Sequence, residues 1–97
     1  EAGVLGVGFP EEYGGVPTPD LGYMLVQFEE LCRAGSGGLI AGLWSLGIGL
    51  PPIVHIGSDE QKRRLVAPVL AGDKISALAV TEPSGGSDVA NIKTTAV

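Results

Sequence analysis

The first segment with a helical pattern follows Thr18. Its apolar residues recur at intervals of three and four positions and so share one face of a helix: Leu21, Met24, Leu25, Phe28, Leu31 and Cys32. Thr18 offers a hydroxyl cap, Pro19 suits the first helical turn, and Asp20 complements the positive end of the helix dipole. Gly35 supplies a left-handed ending. The pattern predicts an amphipathic helix with a buried apolar face, opposite the face that carries Gln27.

The second segment, from Gly38 to Leu50, is apolar on every side. Such a pattern predicts a helix that is buried all round, with its cap at residue 36 or 37. The surrounding run, residues 34–57, carries no acidic or basic side chain apart from one histidine and is long enough to suggest a membrane span. Pro51 and Pro52 interrupt that run, and several glycines dilute it. We therefore favour a buried helix and expect no membrane span.

The third segment opens with a capping box, Ser58-Asp59-Glu60-Gln61. Pro68 is expected to kink or restart this helix, and Gly72 to close it. The pattern then changes, because residues 75–81 lack helical spacing and lie between turn-forming residues, as a buried strand does. Residues 93–97 predict a second strand. The fold class is therefore mainly α with the first strands of a β-domain. We expect that β-domain to be incomplete in the given sequence.

Composition and charge narrow the possible functions. The 97 residues allow one small domain or a piece of a larger one, and their net charge of −5 argues against nucleic acid or an anionic membrane as partner. A single cysteine, Cys32, excludes a multi-cysteine metal site, and His55 has no second ligand near it in sequence, so no metal is expected. No secretory signal is recognisable, and we expect a cytoplasmic location.

The clearest candidate for a functional site is the turn-rich loop after the first predicted strand. Backbone N–H groups at Gly85, Gly86 and Ser87 can converge on an anion, because glycine lets an oxyanion approach the chain. Thr81 and Ser87 add hydroxyl donors, and Asp88 is expected to close an Asx turn. A Gly-Gly-Ser-Asp sequence is also common in ordinary connections. The residues alone therefore leave an anion site and a simple turn as alternatives.

Three stretches together resemble one family. Residues 79–88, Ala-Val-Thr-Glu-Pro-Ser-Gly-Gly-Ser-Asp, resemble the flavin-site signature of the acyl-CoA dehydrogenases, T-E-P-x-[AG]-G-S-D preceded by small and apolar residues. Residues 57–74 resemble the helix that leads into this signature, and residues 9–15 resemble a loop early in the helical domain. The resemblance implies that residues 1–73 are the later part of an N-terminal helical domain. It implies that residues 74–97 begin the middle β-domain and carry its flavin loop.

The same resemblance implies a binding site for FAD. The implied cofactor-binding residues are Leu78, Val80, Thr81, Gly86 and Ser87. Val80 and Thr81 would meet the isoalloxazine ring, and Gly86 and Ser87 would lie near the pyrophosphate. Ser87 would also bind substrate, beside the thioester end of acyl-CoA. A Rossmann fingerprint is missing, so a Rossmann-type flavin site is not expected.

The resemblance implies a fragment of an enzyme that oxidises acyl-CoA to 2,3-enoyl-CoA and passes electrons to electron-transfer flavoprotein. The family's glutamate base is expected beyond Val97, so no catalytic residue is assigned and the chain alone is expected to be inactive. Glu82 is expected to make local hydrogen bonds. The full-length enzyme is expected to be a homodimer or homotetramer, in the cytoplasm or, in a eukaryote, the mitochondrial matrix. An acyl-CoA oxidase, a flavin monooxygenase and a non-catalytic helical interaction module are the alternatives.

Overall fold

The computed structural model describes residues 4–18 and 20–97. Its helical segments are, in order, α1 (Leu21–Cys32), α2 (Gly37–Gly49), α3 (Pro51–Ile56), α4 (Asp59–Gln61), a π-helical turn (Lys62–Val66) and α5 (Ala67–Leu70). Single 3-10 turns are formed by Val4–Gly6, Glu11–Tyr13 and Val89–Asn91. The prediction of a mainly helical fold is confirmed for this part of the chain.

Helix α1 is capped by Asp20. The carboxylate of Asp20 accepts a hydrogen bond of 2.8 Å from the N–H of Gly22. Thr18, the predicted cap, instead accepts a hydrogen bond from the N–H of Asp20 and donates one to its carbonyl. The carboxylate is the better cap because its charge also interacts favourably with the helix dipole. Pro19 lies outside the described residues, and Gly35, with φ of 63°, ends the turn after the helix as predicted.

The apolar face of α1 is only partly covered. Leu21 and Leu25 are 74% and 69% exposed, and Cys32 is exposed. The prediction of a buried stripe is therefore wrong at these positions, because the described chain supplies no element that packs over them. Phe28 is half-buried, and its ring centroid lies 4.4 Å from that of Trp44 on α2. This aromatic pair joins α1 to α2.

Gln27, which the pattern assigns to the polar face, is buried in the structure. Its side-chain amide donates a hydrogen bond to the carbonyl of Val4, so the N-terminal 3-10 turn packs on α1 at this point. The chain beyond that turn is held by hydrogen bonds from Gly8 to Val16 and from Val16 to Gly6. The side-chain nitrogen thus satisfies a backbone carbonyl, while the Oε1 of Gln27 is buried without a hydrogen-bond partner among the described residues.

Helices α2 and α3 follow one another almost without a break. Ser36 caps α2 as predicted, by accepting a hydrogen bond from a backbone N–H in the first turn. Pro51 and Pro52 do not interrupt the helical path from α2 to α3. Leu50 between the two helices is itself helical, and its carbonyl accepts a hydrogen bond of 3.0 Å from the N–H of Val54. The two prolines occupy the first turn of α3, where no N–H is needed.

Together these helices form a 20-residue helix, Gly37–Ile56, that is long and apolar enough to cross a membrane by length and composition alone. A core helix of a soluble protein meets the same criterion. Leu46 and Leu50 are buried, whereas Leu39 and Ile48 are 53% and 59% exposed. The prediction of a helix buried on every side is therefore wrong in this structure, since the described residues pack against one side of it.

The predicted capping box is present in α4. The hydroxyl of Ser58 accepts a hydrogen bond from the N–H of Gln61, and the Gln61 side chain accepts one of 2.8 Å from the N–H of Ser58. The helix then widens into the π-helical turn before Pro68. Proline removes a donor and crowds the carbonyl four residues earlier, which accounts for a wider turn there. Gly72, with φ of 86°, ends α5 as predicted.

The core lies where the N-terminal loops, the end of α2 and the π-helical turn meet. Its buried side chains are Phe9, Tyr13, Leu46, Leu50, Val66 and Val69. Val66 and Leu50 are the most completely enclosed, with 0% and 1% exposed. The radius of gyration is 15.1 Å, whereas a compact domain of this length would have about 13 Å. The helices thus enclose a small core and leave much of their outer surface exposed.

Neither predicted strand is formed among the described residues. Residues 75–81 and 93–97 have an irregular backbone. A strand requires a neighbouring segment to pair with its backbone N–H and C=O groups. Within the described chain such pairing is limited to isolated bridges, Val7 with Val16 and Glu82 with Gly85. These segments therefore have strand propensity, but no described segment pairs with them to form a ladder.

Candidate functional site

A tight turn organises the loop that follows residue 81. The N–H of Glu82 donates to the carbonyl of Gly85 at 2.9 Å, and the N–H of Gly85 donates back to the carbonyl of Glu82 at 3.1 Å. Pro83 and Ser84 form the tip, where a proline with its fixed φ favours a turn. The turn reverses the chain, so that residues before and after it line a common cleft.

The carboxylate of Glu82 connects this turn to residues much later in the chain. Its Oε2 accepts a hydrogen bond of 2.9 Å from the N–H of Lys93, and its Oε1 accepts one of 2.7 Å from the N–H of Thr94. The hydroxyls of Thr94 and Ser84 also donate to it. The Thr94 hydroxyl, followed by the two backbone N–H groups, favours the charged form and lowers the pKa of Glu82. Glu82 is therefore ionised at neutral pH, with donors on both oxygens.

The cleft beside the turn has a volume of about 500 Å³. Its lining includes Val80, Glu82, Gly85, Gly86, Ile92 and Lys93. Small-molecule sites are typically about 300–1,000 Å³, so the cleft could hold a cofactor or part of one. Apolar side chains at positions 80 and 92 face the same space as the glycine backbone. An aromatic ring and a polar group could therefore be bound side by side.

The structure brings together three of the five predicted FAD-binding residues. Val80 and Gly86 line the cleft, and Thr81 lies against Gly86, where a Cβ would be 3.3 Å from the Cγ2 of Thr81. Glycine at position 86 permits this close approach. Leu78 is 58% exposed, Ser87 is exposed, and neither lines the cleft. Binding of FAD by this set stays a prediction.

Two of the three predicted N–H donors have no acceptor among the described residues. The N–H of Gly85 is engaged within the turn and is not available as predicted. For Gly86 and Ser87, no described residue accepts a hydrogen bond from the backbone N–H, so both can donate to a ligand oxygen. Asp88 does not close the predicted Asx turn, because its carboxylate accepts a hydrogen bond from the side-chain amide of Asn91. This pair stabilises the chain that borders the cleft.

His55 and Cys32 lie away from the cleft, and both are exposed. Across residues 4–18 and 20–97, no group of three His, Cys, Asp or Glu side chains could hold a metal ion. Trp44 packs on Phe28 in the helical part. The polar groups that could bind a ligand are thus concentrated in the loop of residues 80–94.

Lys93 and Thr94 are the site residues that the sequence analysis missed. They were assigned to the start of a strand, yet they provide most of the donors to Glu82. The contact joins residues 11 and 12 positions apart, and no periodicity in the sequence indicates that they meet. A carboxylate directly before a turn was the available signal, but it does not identify the donor.

Comparison with known proteins gives the family of the chain. Residues 1–73 match the model of the acyl-CoA dehydrogenase N-terminal domain. A probable acyl-CoA dehydrogenase of Bacillus subtilis is 46% identical over 97 residues, which are 100% of this chain and 16% of the relative. The human mitochondrial short-chain specific acyl-CoA dehydrogenase is 41% identical over 96 residues, covering 97% of this chain and 23% of the relative.

A third relative, 3-(aryl)acrylate reductase of Clostridium sporogenes, is 37% identical over 95 residues, covering 97% of this chain and 25% of the relative. The chain thus spans a quarter or less of the length of these curated relatives. No solved structure matches it. The family model and the relatives agree, and the chain belongs to the acyl-CoA dehydrogenase family of oxidoreductases.

Proposed function

We propose that the chain is part of an FAD-dependent enzyme that oxidises acyl-CoA to 2,3-enoyl-CoA and passes the electrons to electron-transfer flavoprotein. The observation that carries this proposal is the cleft beside residues 80–86, because it lies on the segment that resembles the family's flavin signature. Membership of the family supports the reaction class. The names of two relatives, an acyl-CoA dehydrogenase and an acrylate reductase, are consistent with chemistry at a carbon–carbon bond.

The residues of the cleft fit a flavin in their chemistry. Val80 offers an apolar surface for a ring, and the N–H group of Gly86 on the cleft, followed in the chain by that of Ser87 outside its lining, can donate to phosphate oxygens. When bound, FAD would accept the hydride that leaves the acyl chain. We assign the remaining contacts to Leu78 and Thr81, and the thioester end of acyl-CoA to Ser87. The role of these residues is to bind and orient the two molecules.

We assign no catalytic base within the chain. Glu82 is the carboxylate on the cleft's turn, but both of its oxygens accept hydrogen bonds from residues 93 and 94. A base needs a free oxygen within reach of the proton that it removes. We therefore propose that the base comes from another part of the enzyme and that Glu82 has a structural task.

We further propose that residues 1–73 belong to the helical domain and that residues 74–97 begin the β-domain. This division is supported by the range of the family match, which stops at residue 73, and by the end of the last described α-helix at Leu70. The long helix Gly37–Ile56 is then a core helix of the whole enzyme, with its exposed apolar side chains covered by other helices. We propose a homo-oligomer in the cytoplasm or, in a eukaryote, the mitochondrial matrix.

The proposal is tested on the full-length protein that carries this segment. It should purify with FAD, lose visible flavin absorbance when an acyl-CoA is added without oxygen, and regain it with electron-transfer flavoprotein. Gly86→Val should reduce the FAD content, because a larger side chain would crowd Thr81 and cover the N–H donors. Gly38→Ala is the control, since a Cβ at that position meets no atom within 4 Å.

Other results would favour the alternatives. Hydrogen peroxide formed without an added acceptor would indicate an oxidase or monooxygenase. Absence of FAD together with stable partner binding would indicate a non-catalytic module and would contradict the proposal. Running the assay also with an enoyl-CoA and a reduced donor would show whether the enzyme works in the direction named for the Clostridium sporogenes relative.

A further inference from the structure

The loop of residues 82–94 is closed by one side chain. No ladder joins its two ends, because the chain on both sides is irregular. Instead the Glu82 carboxylate accepts hydrogen bonds from the N–H groups of Lys93 and Thr94 and from the Thr94 hydroxyl. The bridge between Glu82 and Gly85 forms the turn, and Glu82 lines the cleft beside it. The position of residues 93 and 94 thus depends on a single acceptor.

A carboxylate is the chemical group that suits this arrangement. When ionised it only accepts hydrogen bonds, at two oxygens, and here donors approach both of them. Such charge-assisted hydrogen bonds are stronger than those between neutral groups. A glutamine would keep one acceptor oxygen but would place its own NH₂ against a donor. An aspartate is shorter by one methylene and would not reach both N–H groups.

We propose that Glu82 is a positioning residue, whose carboxylate holds residues 93–94 against the turn and so keeps the cleft shaped for the flavin. This inference rests on the proposed function for its ligand, but the loop closure itself does not. Val80 and Gly86 line the cleft on either side of the turn, and we assign Glu82 to act through them, because its two oxygens are engaged by Lys93 and Thr94. The lowered pKa of Glu82 agrees with this assignment, since the hydrogen bonds that lower it are those that close the loop.

The loop closure is tested without the cofactor by hydrogen exchange at the amides of Lys93 and Thr94. In the wild-type protein both amides should be protected, and in Glu82→Gln they should exchange roughly tenfold faster or more. Thr94→Val removes one donor and keeps the carboxylate, so it should give a smaller acceleration. Glu29→Gln is the matched control, because it makes the same change at an exposed carboxylate on α1. Helical circular dichroism should be the same in all four proteins.

The link to the flavin is tested by FAD affinity and its pH dependence. Glu82→Gln should weaken FAD binding by roughly tenfold, and Glu29→Gln should leave it unchanged. Because folding lowers the pKa of the Glu82 carboxyl, its stabilisation of the closed loop is lost as the pH falls through the lowered pKa. Wild-type affinity should therefore fall on acidification, and the fall should be smaller in Glu82→Gln. Asp88 and Lys93 line the same cleft and are present in both proteins, so the difference between the two pH profiles reports Glu82.

Two results would overturn the inference. Unchanged exchange at Lys93 and Thr94 in Glu82→Gln would show that the carboxylate does not close the loop. Faster exchange with unchanged FAD affinity would show that closure does not position the flavin. Faster exchange in Glu82→Gln together with no FAD binding by the wild-type protein would instead contradict the proposed function, while the loop closure by Glu82 would be supported.

Discussion

Replacing Gly49 by alanine should separate the packing of residues 76–77 from the stability of the helices. Gly49 is the last residue of α2, and residues 76–77 lie directly on it. A Cβ at this position would be 3.0 Å from the Oγ and 3.1 Å from the Cβ of Ser76, and 3.6 Å from the backbone nitrogen of Ala77. Ordinary carbon–carbon contacts lie at about 3.5–4.0 Å. The segment that leads to the cleft must therefore move if a side chain is added here.

Two opposing effects set the expected magnitude. Overpacking of this kind costs about 1–3 kcal/mol, whereas replacing a helical glycine by alanine gains up to about 1 kcal/mol in helix propensity. Gly42→Ala is the matched control, because its Cβ would meet no atom within 4 Å and only the gain applies. The propensity term is common to both variants. Gly49→Ala should therefore be less stable than Gly42→Ala by about 1–3 kcal/mol.

The assay is equilibrium urea unfolding of the two variants, followed by fluorescence of the chain's single tryptophan, Trp44. Trp44 lies on α2 and packs against Phe28 on α1, so its fluorescence should change when the two helices separate. Equal stabilities of the two variants, within about 0.5 kcal/mol, would refute the reasoning. Such a result would mean that residues 76–77 do not rest on α2.

Three further changes follow from the fold. Leu50→Ala should destabilise the protein by about 2–5 kcal/mol in urea unfolding, because the side chain is 1% exposed in the small core; a loss below about 1 kcal/mol would contradict its burial. Ser58→Ala should cost about 0.5–2 kcal/mol through loss of the capping box, and an unchanged melting temperature would speak against that cap. Ser76→Ala should stabilise the protein by about 1 kcal/mol, since its buried hydroxyl has no partner within the described part of the chain. A destabilised Ser76→Ala would indicate a partner for that hydroxyl.

The features that the sequence predicted correctly are held by contacts between near neighbours. The Ser58–Gln61 capping box, the Ser36 cap and the left-handed glycines at 35 and 72 involve residues within a few positions of one another. Such contacts are determined by local sequence. The wrong assignment of the α1 cap was also local, since Thr18 and Asp20 compete for the same helix end.

The features that it missed depend on residues distant in the chain or on packing partners. Residues 75–81 have strand-like composition, but composition does not supply a neighbour for pairing. Burial of Gln27 depends on the carbonyl of Val4, 23 positions away. The segment that resembles the family signature lies beside the cleft, whereas the hydrogen bonds from Lys93 and Thr94 to Glu82 join residues 11 and 12 positions apart and could not be predicted from the sequence.

The widened helical turn at Lys62–Val66 bears on how the family can vary in length. A π-helical turn bonds five residues back instead of four, so it contains one residue more than an ordinary turn. Deleting one of the exposed arginines, Arg63 or Arg64, would remove that extra residue and leave Val69 facing the core, and the helix would kink at Pro68 instead of widening before it. Relatives that are one residue shorter here would thus keep the same path into the loop of residues 80–94.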